Sequence, residues 1–390
     1  MKNIFIPMLG RINVFNRDGS EIRLSNFIKE FYYKNKIYIV TPNRQINILR
    51  SQKIDIKKLN IKIIPEIFKS NSHNIFNVFL TYTFRIISTF FLKYPKNIDI
   101  IYIPSDFLFD LVPGILCKLR NPNAKIFICL FLLCPNPFVE YKNIYNKKIN
   151  FPNFRQLIYY LLQKISIYLA KKFKGTFLVL NKIDYFKIKK LNINCKIVTM
   201  GVDIKIYKKI FPSKKKFDAI FVGRFHPQKG IEQLIKSWYY LVNTMNKRYT
   251  LAIIGGGDFK YIKDIKKRVN DLNLKKYIKF LGFLEGGKKI SFLKSSKVSV
   301  VPSLYESYGM TVIESGACNL PVIAYEIPVF KSLFNNMINF TKIGDFKNYA
   351  IKVDEIINKK KNNLDKKFFN YCKTLDWKNI FLYEKKLLNI

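Results

Sequence analysis

Residues 298–326, VSVVPSLYESYGMTVIESGACNLPVIAYE, constrain the fold of this chain more than any other stretch. The run opens on β-branched apolar residues, VSVVPS, which read as a strand buried on both faces, as in a parallel sheet. A turn carrying Glu306 follows, then Tyr308-Gly309-Met310-Thr311 and a short helix ending near Asn319. Pro321 stops that helix before the strand PVIAY. Strand, turn, helix and strand make one βαβ unit, and open parallel sheets bind ligands beyond the carboxyl ends of their strands. A helix starting near Gly309 aims the N–H groups of Gly309, Met310 and Thr311 at that edge, a ready anion site. Gly309 has no side chain to hold a phosphate away from the backbone. Glu306 lies just before the helix and Glu314 about one turn inside it. A carboxylate there accepts the two hydrogen bonds offered by a sugar diol. The same glutamates also read as solvated residues favoured by the helix dipole.

The rest of the chain repeats the alternation. In the first half, strands are expected at Asn3 to Pro7, KIYIVTP, KIIP, DIIYIPS, KIFICLFL, TFLVLN and KIVTMG. Arg11 to Glu21 reads as a polar loop containing Asp18-Gly19-Ser20, followed by a helix from Ile22 to Tyr33. Another helix spans Phe107 to Leu119, with Pro113-Gly114 expected to kink or split it. The second half restarts with a strand at Asp218 to Val222, a turn from Gly223 to Gly230 and a helix from Ile231. The strands TLAIIGGGD and IKFLGF follow, with helices between them, before the central unit. The Lys-rich, Pro-bearing stretch from Ile206 to Asp218 reads as the joint. The fold class expected is α/β, two doubly wound domains with a cleft between them. The last segment, carrying Trp377 and Tyr383, is expected to be helical and to pack back on the first domain.

Composition narrows the function. With 390 residues, 49% of them hydrophobic, the chain can bury two sizeable cores. The net charge of +43 suits polyanions or an anionic lipid surface. The lysines are scattered, however, so compositional drift explains the charge equally well. Six cysteines (117, 129, 134, 195, 318 and 372) include no C-x-x-C and sit largely in apolar runs, as reduced core thiols do. Two histidines, His73 and His226, exclude a His-rich metal site. KNIFIPML is too short for a signal peptide, and residues 126–135 are too few to span a bilayer. A cytoplasmic, reducing location is expected. Phe76 to Tyr94 and Phe154 to Lys174 read either as interfacial helices with a basic face or, preferably, as ordinary sheet-covering helices.

Arg224 and Lys229 follow the first strand of the second half, at the same carboxyl edge as Glu306 and Gly309. A guanidinium fork and an ammonium point charge together suit a diphosphate. The pattern G-R-x-x-x-x-K-G at Gly223 to Gly230, followed by P-S-x-x-E-S-x-G-x-x-x-x-E-S at Pro302 to Ser315, resembles the retaining glycosyltransferases of family 4, which have the GT-B fold. Met200-Gly201-Val202-Asp203 stands where that family usually has Asn-Gly-Val-Asp. The likeness is dense over residues 200–330 and weaker before.

The resemblance implies residues 1–203 as an N-terminal Rossmann-like acceptor domain and 204–365 as the donor domain. Residues 366–390 would be a C-terminal helix packing back on the first domain. It implies that Arg224 and Lys229 hold the donor diphosphate and that Glu314 binds the ribose hydroxyls. Glu306 would lie beside the transferred sugar, with the amides of Gly309, Met310 and Thr311 positioning donor groups. Phe283 and Leu284 match the place where the base is contacted, and Gly19 and Ser20 the first-domain loop that meets the phosphates. No metal and no cofactor are implied. The donor would be a UDP- or GDP-sugar and the acceptor a glycan or lipid-linked molecule, with nucleic acid disfavoured; the basic charge and the apolar first-half stretches, rather than the resemblance, suggest an anionic membrane surface as a further partner. Many relatives carry a first-domain histidine facing the sugar, near the strand that here reads FICLFLLCPNPF, and this chain has none there. Two other classes stay open: a polyanion- or membrane-binding protein on a decayed transferase scaffold, and a GT-B sugar-nucleotide epimerase.

Overall fold

The computed structural model of the chain describes residues 1–10, 19–66, 75–139, 154–359 and 363–390. His73 and most of the expected loop from Arg11 lie outside them. The described residues form two compact units. Unit 1 takes in the described residues up to 138, those from 154 to 199, and 380–390; unit 2 takes in 139, 200–359 and 363–379.

Unit 1 is built on seven parallel strands: β1 (Asn3–Pro7), β2 (Lys36–Pro42), β3 (Asn60–Ile64), β4 (Ile100–Ile103), β5 (Lys125–Cys129), β6 (Thr176–Val179) and β7 (Asn194–Ile197). Their order is β3-β2-β1-β4-β5-β6-β7. The helices are α1 (Gly19–Phe31), α2 (Asn43–Ser51), α3 (Ile75–Phe90), α4 (Leu108–Arg120), α5 (Phe154–Lys172) and α6 (Lys182–Lys189). Central strands such as β4, IIYI, are wholly buried because helices cover both faces of an all-parallel sheet.

Unit 2 holds six parallel strands: β8 (Phe217–Val222), β9 (Leu251–Ile254), β10 (Ile278–Gly282), β11 (Ser296–Val301), β12 (Val322–Tyr325) and β13 (Asn339–Thr341). Their order is β10-β9-β8-β11-β12-β13. The helices are α7 (Ile204–Lys209), α8 (Ile231–Tyr239), α9 (Phe259–Asp271), α10 (Gly286–Lys294), α11 (Met310–Ala317), α12 (Pro328–Phe334), α13 (Phe346–Asn358) and α14 (Asn363–Thr374); the last helix, α15 (Trp377–Leu388), has its first residues in unit 2 and the rest in unit 1. Asp203, Asp258 and Asp345 cap α7, α9 and α13 by accepting a backbone N–H from the first turn.

Three local expectations change in the structure. First, α4 runs unbroken from Leu108 to Arg120 through Pro113, and Gly114 serves packing rather than breaking the helix. A Cβ at Gly114 would overlap the Ile103 side chain, so the bare backbone lets α4 settle on β4. Second, Gly19 and Ser20 are not loop residues: they open α1, which begins before Ile22, with Glu21 in the first turn where the dipole favours a carboxylate. Third, the C-terminal segment divides. Helix α14 packs on α11 within unit 2, where Phe368 and Cys372 fill the space over Gly316. Residues 380–390 of α15 and its end join unit 1, where Phe381 packs edge-on to Phe27 of α1.

All six cysteines are free, and five of them are buried. No helix among the described residues is long and apolar enough to cross a membrane.

Candidate active site

The strand order of unit 2 reverses between β8 and β11, whose chain neighbours lie on opposite sides of the sheet. The crossover helices diverge there, leaving a crevice at the carboxyl ends of the two strands. The segments leaving those ends are 223–230 and 302–309.

Hydrogen bonds zip the two segments together. The Leu304 N–H donates to the Gln228 carbonyl at 2.8 Å, and Gln228 Nε2 donates to the Tyr305 carbonyl at 2.7 Å. Gly230 is left-handed, with φ +68°, and a Cβ there would run into the Pro302 carbonyl oxygen. Only glycine allows this close approach without strain. The Thr311 hydroxyl donates to the Val222 carbonyl at 3.0 Å and ties the start of α11 to the end of β8.

Lys229 and Glu306, 77 residues apart, meet as a partly buried ion pair across the two segments. The Ser303 hydroxyl donates to the same Glu306 oxygen at 2.9 Å, so the carboxylate is held on two sides. Arg224, in the same turn as Lys229, is exposed. Gly309, with φ +98°, caps α11; a Cβ there would lie 2.5 Å from the Phe330 ring. The first-turn amides of Met310 and Thr311 therefore start α11 beside Glu306 in sequence and at the strand edge in space.

Glu314 is buried in α11 and accepts from Lys289 Nζ at 2.6 Å. Lys289 lies on α10, which follows Phe283 and Leu284 at the end of β10; Phe283 is exposed and Leu284 packs on the core. Lys289 was not singled out from the sequence because one lysine in a Lys-Lys pair on a polar helix carries no local signal. Gly19 and Ser20 lie in unit 1, at the start of α1. The segment after β5, where the resemblance directs attention to a histidine, holds Phe131, whose ring lies 5.7 Å from the Arg23 guanidinium.

His226 is the other residue whose part the sequence did not disclose. Its Nδ1 accepts the Gln228 N–H at 3.2 Å and caps the turn that presents Lys229. Burial, with Arg224 and Lys229 nearby, pulls its pKa down to about 4. The imidazole is therefore neutral at pH 7 and acts as a cap, leaving the positive charge to its neighbours. An unfolded histidine takes up its proton near pH 6.5. Between pH 6.5 and 4 the unfolded chain binds more protons than the folded one, so the stability due to this group is complete above 6.5 and is lost as the pH falls through 4. His226→Asn keeps a capping oxygen but does not titrate. The difference in urea midpoint between wild type and this variant should narrow across that window, whereas parallel pH profiles would show that His226 does not set the slope.

The site thus offers two cations, a helix start and two separately paired carboxylates. Among the described residues no group of three or more His, Cys, Asp or Glu is arranged to hold a metal ion.

Comparison with known proteins bears on the same region. The family model for glycosyl transferases group 1 matches residues 203–374. An uncharacterized glycosyltransferase of Methanocaldococcus jannaschii, MJ1069, is 24% identical over 332 residues, covering 82% of this chain and 78% of that protein. An Escherichia coli UDP-Gal:alpha-D-GlcNAc-diphosphoundecaprenol alpha-1,3-galactosyltransferase is 28% identical over 203 residues, 46% of this chain and 51% of that one. Sequence matches of higher identity are shorter: at 32% identity over 121 residues, the chain spans only 30% of the relative's length. The crystal structure of Anabaena HepE in complex with UDP and glucose superposes with a TM-score of 0.71 at 14% identity, covering 100% of this chain and 99% of that one.

Proposed function

We propose, from the premise that residues 203–374 belong to the glycosyl transferases group 1 and that the chain has the GT-B fold, that it moves a sugar from a nucleotide-diphosphate sugar to a glycan or lipid-linked acceptor. One observation carries this reading: the ion pair of Lys229 with Glu306 at the β8/β11 reversal, with Arg224 in the same turn and the start of α11 alongside.

In this reading Arg224 and Lys229 grip the diphosphate, aided by the amides of Gly309, Met310 and Thr311. Glu314 takes the ribose hydroxyls, and Phe283 and Leu284 lie where the base is contacted. Departure of the diphosphate leaves positive character on the anomeric carbon and new negative charge on the phosphate. The cations stabilise that negative charge without having to reorganise. Glu306, held by Lys229 and Ser303, faces the positive side. We read the reaction as retaining and metal-independent, in the manner of family 4. The acceptor oxygen bonds to the anomeric carbon on the face from which the diphosphate leaves, the bond to the phosphate oxygen breaks, and that oxygen takes the acceptor's proton. No histidine base is needed, in keeping with Phe131 standing after β5. The UDP held by HepE and the diphosphoundecaprenol-linked substrate in the galactosyltransferase's name support a UDP-sugar donor and a lipid-linked acceptor here. Six free thiols suit a cytoplasmic location.

A thermal-shift screen against a panel of nucleotide sugars tests the donor class. A true donor at 100 times its Kd stabilises the fold by about 2.7 kcal/mol through mass action. Glu314→Ala should abolish most of that shift while the unliganded protein still unfolds cooperatively. No stabilisation by any nucleotide or nucleotide sugar at millimolar concentration would remove the reading.

A further inference from the structure

Helices α3 and α5 pack some apolar side chains on the unit 1 core, Tyr82 and Ile86 from α3 and Ile167 and Leu169 from α5, but turn a second apolar face outward. They flank α4, which packs against β1, β4 and β5, so all three lie on one face of the unit 1 sheet. On α3 the buried positions are Thr81, Arg85 and Thr89, the last two 2% and 0% exposed. These recur every four residues and so form one stripe. The opposite side presents Phe79, Ile87 and Phe90, and Phe91 follows at 85% exposure. Helix α5 repeats the arrangement: Gln163, Ser166 and Ala170 face inward, and Phe154, Leu161, Ile165 and Tyr168 face outward. A sheet-covering helix surrounded by water has one apolar stripe, toward the sheet, so the second apolar face on each of these helices calls for a partner.

Two of the inward polar side chains, Arg85 and Gln163, tie the helices to the rest of unit 1. Arg85 donates to the carbonyls of Leu9 at 2.6 Å and Gly10 at 2.9 Å, and to Glu66 at 2.6 Å. Gln163 donates to Asp106 at 2.7 Å and to the Leu132 carbonyl at 2.9 Å, and accepts the Cys134 N–H at 2.8 Å. Both helices thereby brace the segments leaving β1 and β5, and rotating either helix to hide its apolar side would break those bonds. The apolar faces are thus locked outward.

Charge identifies what they meet. Neither helix contains an aspartate or glutamate, and exposed lysines border the outward faces: Lys93 and Lys96 after α3, and Lys164, Lys171 and Lys172 on α5. An apolar strip with a cationic margin complements acyl chains beneath anionic headgroups. We propose that the outward faces of α3 and α5 form a single docking surface for an anionic lipid bilayer, on which the chain rests without spanning it. This goes beyond the donor chemistry and does not use it.

The test is flotation of the full chain with phosphatidylcholine vesicles containing no or one-quarter phosphatidylglycerol. The chain should float with the anionic vesicles. The combined variant Phe79→Ser, Phe90→Ser, Leu161→Ser, Ile165→Ser should reduce partitioning by about tenfold or more, with its unfolding temperature and any nucleotide-sugar stabilisation unchanged. A control on the exposed residues Phe211→Ser and Phe259→Ser of unit 2 should float like the parent. Equal flotation of parent and four-residue variant overturns the proposal. So does a parent that stays in solution, including one whose concentration-dependent self-association the variant abolishes, since that face would then cover a second copy. Because donor binding is read separately, failure here and failure of the transferase assignment give different results.

Discussion

Replacing Lys229 by alanine should lower kcat about 10²- to 10³-fold, the effect of removing one preorganised group from a site where transition-state charge develops, roughly 3 to 4 kcal/mol of barrier. The reason lies in the geometry of the turn. Lys229 is partly buried against Glu306, held in place by the His226 cap and by the Gln228 bonds to 302–306. Its ammonium therefore does not have to be ordered when the diphosphate departs. The alanine variant loses the cation and also leaves Glu306 with only the Ser303 hydroxyl among these contacts, a partly buried negative charge without its ion-pair partner. Arg224→Ala should cost a similar factor, because its exposed guanidinium is available to the phosphates. Single-turnover transfer from a donor identified by the thermal-shift screen separates the effects. The loss should fall on the chemical step, and KM should rise less than kcat falls. Near-normal turnover in both variants would remove these residues from the reaction.

Glu384→Ala should destabilise unit 1 by about 3 to 5 kcal/mol, the cost of leaving a buried charge without its partner. Arg23 on α1 and Glu384 on α15 form an ion pair in which both side chains are fully buried. Arg23 also donates to the Thr199 carbonyl at 3.0 Å, and its guanidinium lies 5.5 Å from the Phe381 ring and 5.7 Å from that of Phe131. Burial pulls its pKa down, but Glu384, Tyr102 and Cys129 together outweigh this and raise it above the ordinary arginine value. The pair fastens the end of the chain to the helix that begins at Gly19 and Ser20. In urea, the unit 1 transition of the alanine variant should move to a clearly lower midpoint. The double variant Arg23→Met, Glu384→Leu should recover most of the loss, because well-packed apolar side chains replace a buried pair with little net cost. A single variant as stable as the parent would mean that water reaches the site.

How much of this was legible beforehand differs by residue. Gly309 and Glu306 could be placed because a glycine before an apolar helix start, after a buried strand, admits few backbone arrangements. Gly230 could be seen as a turn glycine, but its close approach to the Pro302 carbonyl could not, since 72 residues of sequence hold no local trace of that contact. Pro113-Gly114 misled because a proline-glycine pair usually breaks helices, whereas here the glycine is required by the fit of α4 onto β4. The faces of α3 and α5 could be read as apolar strips but not oriented. Periodicity states that two sides differ and is silent on which one meets the sheet.

The sequence by itself determined the alternation of strands and helices, the parallel sheets that follow from buried β-branched runs, and the strand edge at which a ligand would sit. These depend on backbone sterics and on burial that repeats every two or 3.6 residues, so a short window contains them. Tertiary structure alone decided which charge meets which: Lys229 with Glu306 at a separation of 77 residues, Lys289 with Glu314 at 25, and Arg23 with Glu384 at 361. With 69 lysines and arginines against 26 acidic residues, every carboxylate had many candidate partners. Coulomb attraction does not depend on chain order, and only the packing of sheets and helices brings one cation of the many within reach of a given carboxylate.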